Sequence, residues 1–85
     1  WGLTDVRIEG NLSGRTIDIT LISPKSQKVW IYLKQFGEVV YKKRVNAIGT
    51  IQETVEVPRN LEGGEYLLEI DTRYETYSKK WLVKH

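Results

Sequence analysis

The side chains that could do chemistry in this sequence are one imidazole, several carboxylates and a cluster of cations. The imidazole is His85, the last residue, so a Ser-His-Asp or Cys-His constellation would have to be assembled on a chain end that frays. Two carboxylates in a cleft suffice for glycoside hydrolysis, yet Glu56, Glu65 and Glu69 fall on the outward phase of alternating runs, where acids are solvated. Glu53 departs from this, because it shares phase with Ile51, Val55 and Val57; a catalytic acid, a bulge or an edge position would each account for it. Cysteine is absent, which excludes a disulfide framework and a thiolate zinc site. The nearest approach to a glycine-rich phosphate loop, Glu62-Gly63-Gly64-Glu65, is acidic and would repel phosphate. Asn11-Leu12-Ser13 has the form of a glycosylation acceptor, a three-residue pattern that chance produces often. The sequence therefore gives no reason to expect an enzyme, a metal or a cofactor.

The cations are unevenly placed although the formal net charge is only +2. Lys25, Lys28, Lys34, Lys42, Lys43 and Arg44 face Glu38 alone between residues 25 and 44, whereas acids dominate from Glu53 to Glu75. One reading is a basic hairpin for nucleic acid or an acidic glycan. The other is that the third and sixth strands lie side by side and their opposite charges pair across the sheet. Pairing is the expectation, and with it no nucleic-acid partner.

The elements that must position these groups follow from alternation at period two, which runs through almost the whole chain with no helical stripe. Val6 and Ile8 alternate with Asp5, Arg7 and Glu9 in a first strand ending at Gly10. Ile17, Ile19 and Leu21 form the buried phase of a second strand, 15 to 22, which Ser23-Pro24-Lys25-Ser26 is expected to break. The run from 28 to 35 is apolar on both faces and suits a central strand. A turn at Phe36-Gly37 returns the chain antiparallel, with Gly37 at positive φ. Strands at 38 to 45 and 50 to 57 follow, with a loop at 46 to 49 between them and a stop at Pro58. Gly63-Gly64 turns into a sixth strand carrying Tyr66, Leu68 and Ile70, and a last strand spans about 76 to 83. Tyr66 stands where a tyrosine corner would place a hydroxyl able to reach back to the preceding loop. About seven short antiparallel strands in 85 residues predict one all-β domain, 1 to 85, an immunoglobulin-like sandwich of three strands against four close to the fibronectin type III arrangement. A chain this short buries only roughly 60 to 65% of its unfolded surface, so its aromatics must supply much of the core.

If Val29, Ile31 and Leu33 face the core, then Trp30 and Tyr32 point outward, beside Val40 on the next strand, Leu67 on the sixth and Leu82 on the last. Such a face suits a neighbouring protein domain, a second copy in a homodimer, or a sugar ring stacked on Trp30. Alternatively these side chains cover one another and the stems of Lys34, Lys42 and Lys80. A register shifted by one residue would instead bury Trp30 in the core.

The segments IYLKQFGEVVYKKRV, TVEVPRNLEGGEYLLEI and YSKKWLVKH are similar to the pattern of small immunoglobulin-like domains exported by gut Bacteroidetes. One such group is a family of unknown function, and a related one is the C-terminal sorting domain of type IX secretion. The resemblance covers about residues 15 to 85, implies an exported, non-catalytic domain, and assigns no residue a role. The expected function is thus an exported binding module for a protein or a glycan, in the periplasm, on the cell surface or outside the cell. The alternative is a structural or secretion-sorting domain appended to a larger exported protein. No apolar run approaches the ~20 residues needed to cross a bilayer, so membrane insertion is not expected. A chain that begins at Trp1 and contains no methionine reads as processed or trimmed, its signal segment removed or upstream.

Overall fold

A computed structural model describes residues 2–84; Trp1 and the candidate imidazole of His85 lie outside the described residues. Alternation is realised as an antiparallel sheet of five strands: β1 (Asp5–Gly10), β2 (Thr16–Gln35), β3 (Glu38–Glu56), β4 (Gly64–Asp71) and β5 (Thr76–Val83). β3 pairs along the whole of β2, from Gln35↔Glu38 back to Thr16↔Glu56. The other edge of β2 is shared, with β1 on its first half through Ile8↔Ile19 and β4 on its second half through Leu33↔Leu68. β5 completes the sheet beyond β4.

The expected break at residues 23 to 26 is instead a bend inside one long strand. Residues 24–26 oppose Ile48 alone, since Ser23 pairs with Gly49 and Gln27 with Ala47. Pro24 is tolerated there because a bulged residue owes no ladder hydrogen bond. Side chains stitch the bend, with Ser23 Oγ donating to the Lys25 carbonyl and Gln27 Nε2 donating 2.8 Å to Ser23 Oγ. The expected loop at 46–49 likewise continues as strand, and Gly49, at φ 65°, lets β3 follow the curve. Five strands therefore stand where about seven were expected, because two of the breaks are bends.

Curling brings the inward phases of both halves together. Ile17, Ile19 and Leu21 from the first half of β2 and Val29, Ile31 and Leu33 from the second are essentially inaccessible to water and belong to one core with Val55, Tyr66, Leu68, Ile70 and Val83. The predicted corner forms: Tyr66, 1% exposed, donates its hydroxyl to the Glu62 carbonyl at 2.6 Å. The turn between β1 and β2 is tied to the end of β5, where Trp81 Nε1 donates 2.7 Å to the Gly14 carbonyl and the Lys84 amide donates 2.7 Å to that of Ser13. Gly14, at φ 76°, packs so closely on β5 that a Cβ there would collide with the Leu82 carbonyl. Asn11 is used in the same turn, its Oδ1 accepting from Ser13 Oγ and from the Thr16 amide.

Candidate binding face

With Val29, Ile31 and Leu33 inward, β2 presents Trp30, Tyr32 and Lys34 on the opposite face, as the alternation predicts. Pairing sets their neighbours. Trp30 lies between Arg44 on β3 and Asp71 on β4, Tyr32 between Lys42 and Glu69, and Lys34 between Val39 and Leu67. Leu82, 64% exposed, lies on β5 opposite Glu65.

Val40 is not part of this face. The register slips by one between Leu33↔Tyr41 and Lys34↔Val39, which turns Val40 against the core and puts Val39 outward in its place. A single extra residue reverses the phase of everything beyond it. The remaining candidates do not form one patch either. Lys34 reaches both carboxylate oxygens of Glu69 at 3.2 Å and places its ammonium 5.6 Å from the Tyr32 ring centre. This ion pair separates an aromatic end, Trp30 and Tyr32, from an aliphatic end, Leu67, Leu82 and Val39.

Charge pairing across the sheet accounts for part of the basic hairpin. Lys34 is held by Glu69, and Lys80 lies 3.9 Å from Glu65. Lys43 donates 2.7 Å to Glu53, and this bond raises the lysine pKa above its usual value. Both sit on the inward phase of edge strand β3, so the anomalous Glu53 is an edge acid bridging the bend. Lys28, Lys42, Arg44 and Arg73 have no ion-pair partner among the described residues. All four line grooves that flank Trp30. One, of about 550 Å³, lies toward the bend and is lined also by Gln27, Asn46 and Tyr74; the other, of about 410 Å³, lies toward Tyr32 and Lys42. Beside Trp30, the Asp71 carboxyl has Oδ1 shut away from water with no hydrogen-bond partner among the described residues. Burial first, and the neighbouring Glu69 second, push its pKa above the usual carboxylate value.

Two residues belong to these surfaces that the sequence reading did not single out. Tyr74, 59% exposed, projects from the β4–β5 turn into the larger groove; its only sequence signal is an aromatic beside Arg73 in a turn. Phe36, 94% exposed, occupies the hairpin tip at φ 52°, a conformation bulky side chains rarely adopt. Among the described residues, no group of three or more His, Cys, Asp and Glu side chains is placed to hold a metal ion. Comparison of the chain with protein-family models, with curated proteins and with solved structures gives no match.

Proposed function

We propose that the curled sheet is an immunoglobulin-like β-sandwich of fibronectin type III-like arrangement, serving as an exported, non-catalytic binding module. Supporting the fold reading, each long strand counts as two segments once divided at its bend. One layer is then β1, the first half of β2 and the second half of β3; the other is the first half of β3, the second half of β2, β4 and β5. The tyrosine corner fits the same architecture. The exported setting rests on the resemblance to exported domains described above.

One observation carries the binding reading: Trp30 and Tyr32 lie side by side on an outer face, contribute nothing to the core, and stand at the head of open grooves. The Trp30 indole N–H has no acceptor among the described residues, so it is free for a ligand. The double variant Trp30→Ala, Tyr32→Ser tests this. It is expected to unfold within about 1 kcal/mol of the wild type, as outward substitutions usually do, and to lose association with glycan or protein partners. Urea unfolding, size measurement in solution and a binding screen read both results. A variant that unfolds outright, or a wild type that associates with nothing in the screen, overturns the reading.

A further inference from the structure

We infer that the aromatic end of the outer face is a binding site for an acidic saccharide, a chain of sugar rings bearing carboxylate or sulfate groups. This rests on the binding-module reading and names the ligand class. Trp30 stands between the two grooves and lines both, so a ring stacked on it extends naturally to either side. On the β3 side the ligand meets Lys42 and Arg44, and on the turn side Arg73, all without ion-pair partners among the described residues. Unpaired cations around an aromatic platform complement an anion that has flat, partly apolar rings.

The remaining groups favour a sugar over a polyphosphate. Asn46 and Tyr74, both exposed, line the larger groove with an amide and a phenol that can each donate to and accept from hydroxyls, which a saccharide carries and a phosphate chain largely lacks.

The test uses matched probes on the whole domain: polygalacturonate and dextran sulfate as acidic saccharides, dextran as the neutral one, and a single-stranded oligonucleotide as a non-sugar polyanion. Expected are binding of at least one acidic saccharide, little binding of dextran, and an affinity that falls steeply with salt. Trp30→Ala should weaken it by about tenfold or more, and Lys42→Gln with Arg44→Gln should flatten the salt dependence. Unchanged melting temperatures of these variants exclude unfolding as the cause. Failure of both acidic probes, equal or tighter binding of the oligonucleotide, or binding indifferent to Trp30→Ala overturns the inference. Trp30-dependent binding of dextran also overturns it while leaving the module reading standing, and loss of the fold in Trp30→Ala overturns both.

Discussion

Trp30 and Trp81 are both half-buried, yet they differ in everything that decides what a tryptophan does. Trp81 lies on the inward side of β5, packs against the core, and gives its indole N–H to the Gly14 carbonyl. Its ring lies so close to Gly10 that a Cβ there would collide with it, and the Lys79 ammonium stands 5.7 Å from its centre. Trp30 lies on the outward side of β2, with an N–H that has no acceptor among the described residues and open grooves on either hand. Exposure alone does not separate a structural aromatic from a recognition aromatic. What separates them is whether the polar atom is spent inside the fold.

The strongest way to break this comparison is to truncate Trp81. Trp81→Ala removes a large ring at the junction of the first turn and β5 and orphans the Gly14 carbonyl, at an expected cost of about 3 to 5 kcal/mol. For so small a domain that is much of the total stability. Urea unfolding should show the loss, and a Trp81→Ala variant as stable as Trp30→Ala would erase the distinction between the two residues.

How much of this was legible in the sequence depends on whether phase was preserved. Ile17, Ile19, Leu21 and Ser23 before the bend and Val29, Ile31 and Leu33 after it are buried in one phase, which the bend at 24–26 interrupts without reversing, so the two faces of β2 and the outward direction of Trp30 and Tyr32 could be read directly. At Val40 one bulged residue reverses the phase, and alternation has no mark for a bulge. Pro24 was a strong signal read in one of its two senses: it forbids a ladder bond, and a chain can meet that demand by bulging as well as by stopping. Glu53 was legible as an inward acid, but its partner was not, because only the bend of β3 brings Lys43 to it across ten residues of sequence. Tyr74 was hidden for a different reason, since turns carry no period from which a direction could be read.

Two smaller effects sharpen the contrast between residues spent on the fold and residues left over. Tyr66 resembles Trp81, with its hydroxyl committed to the Glu62 carbonyl, so Tyr66→Phe should destabilise by about 0.5 to 1.5 kcal/mol in urea unfolding. No measurable loss would mean that the corner contributes nothing. Phe36 resembles Trp30 in being left over, and it sits at positive φ beside Gly37, also positive at 77°. A turn with both central residues in that region favours Asn-Gly, so Phe36→Asn should stabilise the domain by about 0.5 to 1 kcal/mol. A stabilised variant would show that Phe36 is kept at a cost to the fold; a destabilised one would show that its ring is needed there.

The smallest effect concerns the polar neighbour of Trp30. Trp81 is matched by a carbonyl that receives its N–H, whereas Trp30 lies across from Asp71, whose Oδ1 is buried without a partner among the described residues. Burial, with Glu69 nearby, raises the Asp71 pKa in the folded state, so the native protein holds this proton more tightly than the unfolded chain does. The native state then gains stability as pH falls through the folded pKa toward the ordinary carboxylate value, and that gain is lost as pH rises again. Asp71→Asn cannot ionise, so its stability should be less pH-dependent over that window and slightly higher than wild type at neutral pH. Urea midpoints measured for both proteins from neutral to mildly acidic pH give the difference curve. A difference that does not change with pH would mean that Asp71 is not strained by its place beside Trp30, and that this end of the face is as settled as the core around Trp81.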